Sequence, residues 1–392
     1  MKILEVTSLG YIDGGIETGI VLTKRISEEH GNIVKILASD LRQDLPHFND
    51  YTYRRPSGFI GKFFYSFNPY SYLALKKILR EFQPDVVHIH TVDHASASIF
   101  FALKDYPTIL TVHGPEPFSK SLLLWCFAES NFIHGKREVN DLTTTGKLRY
   151  FYHRHIESVL YKIALRNVDK IITLSHYMHD LMEHDGLKSD YVPNGTILFD
   201  YNPLQKDNIP HSVAYAGRLE TYKGVDYLLR ALPAVIDRFP DTKLQIAGDG
   251  GERSNLEALA KKLGLRQCVE FLGQLNRGQL EKLYQDASVV VMPSVYPEAF
   301  GKIGIEAMSV GRSVIATNVG GISDWLKDRE NGFLVAPEDS QAIARSICAL
   351  FSDPAMYLRM ALSGRKTAEE FDLQNYVRKI EKKYLNAIEN RI

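Results

Sequence analysis

Short apolar runs, each closed by a turn residue or a polar group, recur along this chain with stretches of helical period between them. In the first half KILEVT, IVKILAS, DVVHIH, TILTVHG and KIITLS have this form, and in the second SVAYAG, KLQIAGDGG, VEFLG, SVVVMPS, SVIATN and GFLVAPED. Runs apolar at consecutive positions belong to strands buried on both faces, as parallel strands are once crossover helices cover the sheet. The pattern predicts an α/β protein with two doubly wound parallel sheets. Periodicity lapses in VPNGTILFDYNPLQKDNIPH, where Pro193, Asn194, Gly195, Pro203 and Pro210 gather, and a linker is expected there. This gives an N-terminal domain over 1–200 and a second over 201–371, the two facing a shared cleft. Beyond Pro354 the chain reads as helix, and the last helix in 372–392, roughly Asp372 to Glu389, is expected to reach back to the N-terminal domain.

Composition narrows the partners. Forty-seven basic and forty-seven acidic residues cancel, which leaves no global field for nucleic acid. Cys126, Cys268 and Cys348 lie far apart, without metal or redox spacing, and suit a reducing compartment. Glu5 stands where a signal peptide needs apolar residues, and the longest apolar run, LLLWCFA at 122–128, is too short to span a bilayer, so a cytoplasmic protein is expected. Two segments mix aromatics with bases: residues 51–82, with six basic residues and one acid, and residues 148–166. They suit a headgroup interface at the inner face of a membrane, and equally a core helix with a basic outer face.

The candidate chemistry centres on YPEAFGKIGIEAMSVG, residues 296–311. Pro297, Gly301 and Gly304 break any continuous helix, so Glu298 is expected in a loop and Glu306 in the first turn of a helix closing near Gly311. Backbone N–H groups around Gly301, Lys302 and Ile303 would turn the positive end of that helix toward a phosphate, while the carboxylates accept from hydroxyls. Upstream, GRLETYKG sets Arg218 and Lys223 at a strand end, two cations able to neutralise a diphosphate. AGDGGE and the turn FLGQL add close backbone approach, as does SLGYIDGGIETG with Gly14 and Gly15 opening a helix. Asp40, just past the second strand, occupies the place of a dinucleotide fold's ribose acid, which keeps a dehydrogenase open from the first forty residues alone. His88 and His90 share a strand face, a spacing suited in principle to a metal, but without carboxylate or Cys companions nearby they read as packed polar strand-end residues ahead of metal ligands. His113, at a strand terminus, can hydrogen-bond a sugar hydroxyl or orient its own loop.

Taken in order, GGIETG, HIH, TVHG, VPNG, GRLETYKG, AGDGGE, FLGQL, PEAFGKIGIEA and VGGISDWL resemble the retaining GT-B glycosyltransferases of family 4 across nearly the whole chain. The resemblance implies two Rossmann-like domains and a nucleotide-diphosphate sugar as donor, with no cofactor and no metal. By it Glu306 binds ribose hydroxyls, Arg218 and Lys223 hold the diphosphate, and Leu275 meets the base through its backbone. Glu298 and the main chain of Phe300, Gly301, Lys302 and Ile303 hold the donor sugar. Gly15 approaches the phosphate or anomeric region, and His113 lies near the transferred sugar from the opposite domain. A carbohydrate or lipid-linked acceptor in surface polysaccharide or glycolipid synthesis follows from the same resemblance. A nucleotide-sugar epimerase and a noncatalytic nucleotide-sugar-binding protein are the rival readings.

Overall fold

The computed structural model describes residues 1–55, 67–114, 118 and 143–391. The run 122–128 with Cys126, and residues 56–66 of the first basic aromatic segment, lie outside the described residues. Two compact units form: one from the described residues up to Pro193 together with those from Gln374 onward, the other from Asn194–Leu373.

The first unit carries β1 (Lys2–Val6), β2 (Ile33–Ser39), β3 (Tyr51–Tyr53), β4 (Val86–Ile89), β5 (Thr108–Val112), β6 (Lys170–Thr173) and β7 (Asp190–Tyr191), in the all-parallel order β3-β2-β1-β4-β5-β6-β7. β4 and β5 are buried at every residue, as their unbroken apolar runs require. The edge strands β3 and β7 were not anticipated, because three and two residues are too few to show a period. The terminal helix, Leu373–Glu389, packs on this unit. Tyr384 Oη lies 2.7 Å from His88 Nδ1, Lys383 Nζ donates to Asp190 at 2.8 Å, and Glu381 accepts from Ser27 at 2.9 Å and Asn32 at 2.8 Å.

The second unit carries β8 (Ser212–Ala216), β9 (Lys243–Ala247), β10 (Val269–Gly273), β11 (Val289–Met292), β12 (Ser313–Thr317) and β13 (Gly332–Val335), ordered β10-β9-β8-β11-β12-β13 and parallel throughout. Alternate residues feed opposite faces: Val213, Val289 and Val291 join one core cluster, Ala214, Val290 and Met292 the other. On the first face the helix Val225–Ile236 buries Leu228, Leu232 and Val235 completely, at a helical spacing that contributes about 1.5–3 kcal/mol per side chain. On the second, Ile305 and Met308 of the helix Lys302–Val310 pack with Trp325.

The stretch read as linker is built into this unit from Asn194. Thr196 N–H donates to Phe371 O and Leu373 N–H to Thr196 O, both at 3.0 Å. Arg312, fully buried, donates to the carbonyls of Asn202 (2.6 Å), Tyr284 (2.8 Å) and Gln285 (2.8 Å), with further contacts to Val310 and Gly311. Burial lowers its pKa, and the ring of carbonyl oxygens takes the place of water around the charge. Among the described residues no helix is long and apolar enough to cross a membrane.

Candidate functional site

In a doubly wound sheet the chain leaves β8 and β11 in opposite directions, which opens a crevice at their carboxyl ends. The loops after these two strands carry Arg218, Lys223 and Glu298. The loop after β8 ends in a single 3₁₀ turn, Thr221–Lys223, and Val295 N–H after β11 donates to Tyr222 O at 3.0 Å, fixing one loop on the other. From the side, Gly248 (φ +127°) lies so close to Gly217 that a Cβ there would collide with the Gly217 carbonyl, so only glycine lets the β9 loop seat.

Lys223 Nζ donates to Glu298 Oε1 at 2.6 Å, and Ser294 Oγ donates to the same oxygen at 2.6 Å. Gly321 N–H holds the Glu298 carbonyl at 2.7 Å. Burial pushes the Glu298 carboxyl up, but Lys223, Ser294 and Arg218 outweigh it and keep the group below the ordinary glutamate range. Exposed Arg218 sits with its guanidinium 5.8 Å from the Tyr222 ring centroid, and Lys223 Nζ lies 5.7 Å from the same ring. The structure thus brings Arg218, Lys223 and Glu298 together, with the lysine neutralising the glutamate directly.

Gly301 (φ +85°) caps the helix Lys302–Val310, a left-handed conformation that glycine adopts without penalty. The first turn starts there with the N–H groups of Lys302 and Ile303, and Gly304 N–H donates back to Gly301 O at 3.1 Å. The ring of Phe300 is buried against Phe371 at 5.2 Å, and its carbonyl is engaged by Trp325 Nε1 at 2.6 Å, so that oxygen anchors the core. Glu306 is the fifth residue of the helix and stands in its second turn rather than its first, because the helix begins only after the left-handed cap. Its Oε1 accepts from Thr196 Oγ1 at 3.0 Å and its Oε2 from Tyr284 Oη at 3.5 Å, while burial raises its pKa. Leu275, two residues past β10, is half-buried against the second core cluster. Ser294, Thr196 and Tyr284 escaped sequence reasoning: a lone hydroxyl carries no signal until the fold sets it beside a carboxylate.

In the first unit, Gly15 is exposed at the start of the helix Gly15–Glu29, and nothing lies within 4 Å of where a Cβ would be. Gly14 N–H, before it, donates to Glu17 Oε2 at 3.0 Å. One oxygen of Asp40 accepts from Arg55 N–H at 2.8 Å.

His113, just past β5, has Nε2 at 3.0 Å from His90 Nδ1, and His90 Nε2 bonds to the carboxylate of Glu5. This corrects the view of His88 and His90 as lacking a carboxylate companion: Glu5, on the adjacent β1, is in register with His88. The three residues hold ligand-type atoms within 4.8 Å of one another. All four ring nitrogens of His88 and His90 are already engaged, those of His88 by Tyr384 and by Thr111 Oγ1, the latter at 2.7 Å. The cluster is therefore a hydrogen-bond network. Burial raises the Glu5 carboxyl, and His88 with His90 more than reverse this, holding it far below the usual range.

Residues 13–198 match the family described as Glycosyltransferase Family 4, and residues 200–367 match Glycosyl transferases group 1. The chain is 30% identical to glycogen synthase of Mycobacterium tuberculosis over 325 residues, 80% of this chain and 72% of that one. It is 43% identical to an uncharacterized glycosyltransferase, MJ1607, of Methanocaldococcus jannaschii over 141 residues, which is 36% of each chain. Sucrose-phosphate synthase from Thermosynechococcus elongatus superposes with a TM-score of 0.77 at 22% identity, covering 98% of this chain and 99% of that one. Anabaena HepE in complex with UDP-glucose does so with a TM-score of 0.70 at 20% identity, covering 98% and 100%.

Proposed function

The chain belongs to the family 4 glycosyltransferases of the GT-B type, and from that premise we propose that it moves a sugar from a nucleotide-diphosphate sugar to a glycan or lipid-linked acceptor with retention of anomeric configuration. The observation that carries the reading is the Lys223–Glu298 pair at 2.6 Å beside Arg218, at the carboxyl ends of β8 and β11. A departing nucleoside diphosphate gains negative charge as the glycosidic bond breaks, so cations fixed beforehand stabilise the transition state more than the ground state. Lys223 has three N–H donors, and the bond to Glu298 uses one, leaving capacity for phosphate oxygens. Arg218 and the helix start at Gly301, Lys302 and Ile303 complete a positive surround that makes the transfer metal-independent.

Glu298, ionised and accepting two hydrogen bonds on Oε1, suits sugar hydroxyls and not a general acid. Glu306 takes the ribose hydroxyls and the Leu275 backbone the base. Gly15 and His113, in the first unit, serve the phosphate and the transferred sugar. With neither Glu298 nor Glu306 placed as an acid in this reading, front-face attack, in which the leaving phosphate takes the acceptor proton, fits these residues best. The UDP-glucose complex of HepE supports a nucleotide-sugar donor.

A peripheral contact with the inner face of a membrane completes the proposal. Between residues 144 and 164 the chain exposes Leu148 (72%), Phe151 (60%), Ile156 (57%) and Val159 (54%) beside exposed Lys147 and Lys162, while the one acid there, Glu157, is buried. A thermal-shift screen against UDP, GDP, ADP, their sugar conjugates and NAD(P) tests the donor. A selective rise with one nucleotide-sugar is expected, and a rise with NAD(P) alone would overturn the reading.

A further inference from the structure

The carboxylate of Glu306 is held from two sides, and the way it is held limits what it can bind. Its Oε1 accepts from Thr196 Oγ1 at 3.0 Å, and Tyr284 Oη makes a longer contact, 3.5 Å, with Oε2. An ionised carboxylate offers about two lone-pair directions on each oxygen, so each oxygen keeps one of them for another donor. Two adjacent acceptor sites of this kind complement a pair of vicinal hydroxyls, each giving one hydrogen.

Thr196 is the fixed side of that arrangement. Its side chain is buried, its N–H donates to Phe371 O, and its carbonyl accepts from Leu373 N–H, both at 3.0 Å. With the backbone pinned on both sides and a β-branched side chain that is stiff at χ1, the hydroxyl has little freedom to follow the carboxylate. The carboxylate turns to meet the hydroxyl instead. Tyr284 lies on the helix Arg277–Asp286. Two turns earlier on the same face, Arg277 donates to Ile197 O at 3.0 Å and lays its guanidinium 4.4 Å from the Phe199 ring centroid, tying that helix to the segment that carries Thr196. Burial raises the Glu306 carboxyl; the Thr196 bond opposes this most, ahead of the charges of Lys302 and Arg277 and the Tyr284 contact.

We propose that Thr196 is a positioning residue for Glu306: its hydroxyl sets the rotation of the carboxylate so that the remaining acceptor sites face the vicinal diol of the donor's ribose, and it thereby sets how strongly the protein prefers a ribonucleotide to a deoxyribonucleotide. This rests on the ribose role given to Glu306 above.

Calorimetry on the full-length protein, with UDP, GDP and ADP and the 2′,3′-dideoxy form of each, reads the effect. The wild type is expected to bind one ribonucleotide more tightly than its dideoxy form. Thr196→Val keeps the shape and the backbone bonds and removes the hydroxyl. It should lower affinity for that ribonucleotide about tenfold and leave the dideoxy form unchanged. Thr196→Ser should retain the wild-type preference, and Thr196→Ala carries the same comparison if the valine variant does not fold. In a Glu306→Ala background Thr196→Val should cost no further affinity, because it acts through the carboxylate already removed. An undiminished preference in Thr196→Val, whether or not both affinities fall, overturns the inference while Glu306 keeps its ribose role. A wild type that binds none of the diphosphates, or does not distinguish ribo from dideoxy forms, overturns the ribose role of Glu306 and this inference with it.

Discussion

Replacing Lys223 by alanine isolates the pair at the centre of the proposed site. The side chains of Lys223 and Glu298 are 16% and 13% exposed, so water screens their 2.6 Å contact little, and losing a charge-assisted hydrogen bond of this kind costs about 1.5–3 kcal/mol. For a unit of this size each kcal/mol moves the melting temperature by roughly 2–4 °C, so Lys223→Ala is expected to melt about 3–12 °C lower while remaining folded at 25 °C. The cost comes from Glu298, left charged with Ser294 as its remaining close donor. In the native protein the pKa of Glu298 lies below its unfolded value, so its contribution is present above that value and fades as pH falls through the folded pKa. Without Lys223, burial is opposed only by Ser294 and Arg218, the folded pKa is expected to rise above the unfolded one, and the penalty then shrinks as pH falls. Lys223→Ala should therefore lose less stability at acidic than at neutral pH, and Lys223→Ala/Glu298→Gln should regain part of what the single variant lost. Urea unfolding at two pH values measures this. A pH-independent cost, or additive effects of the two substitutions, would refute the reasoning, and near-normal transfer by Lys223→Ala would remove its phosphate role.

Three other variants probe further features. Glu306→Ala should weaken nucleotide binding by the 1.5–3 kcal/mol of a charge-assisted hydrogen bond, about 10- to 150-fold in Kd by calorimetry; unchanged affinity would take it out of the ribose site. Gly304→Ala drives a methyl into the Trp325 ring, which its bond to Phe300 O holds in place, and should cost about 1–3 kcal/mol with a shift in tryptophan fluorescence. Leu148→Asp/Ile156→Asp should abolish sedimentation with phosphatidylglycerol vesicles and leave the melting temperature within about 2 °C, since both side chains are exposed; undiminished sedimentation would free this segment of the membrane role.

How much of this was legible in the sequence depended on whether a feature was local. The eleven strands read from their apolar runs are all present, because a buried parallel strand writes its environment into every residue. β3 and β7 were invisible: edge pairing leaves no pattern in Tyr51–Tyr53 or Asp190–Tyr191. The helix start at Gly301 was readable from glycine chemistry, yet the turn occupied by Glu306 was not, since that depended on which residue took the left-handed cap. Arg218 and Lys223 stood out as cations at a strand end. That Lys223 would pair with Glu298, 75 positions away, required the strand order β8-β11. Glu5 was the clearest omission. It was weighed only as an interruption of a leader sequence, and one strand away from two histidines it becomes their buried carboxylate neighbour.

Arg312 has a consequence for how this chain can diverge. Its guanidinium recognises five carbonyl oxygens, at Asn202, Tyr284, Gln285, Val310 and Gly311, and a carbonyl is the same whatever side chain its residue bears. As far as this contact is concerned, those five positions are free to drift under random substitution, provided the backbone keeps its path. Position 312 is not: lysine offers three donors on a single nitrogen and cannot span carbonyls on separate segments. Among descendants of this sequence a solitary invariant arginine surrounded by variable neighbours is thus the expected record of a structural bolt, and it would be easily mistaken for a relic of catalysis.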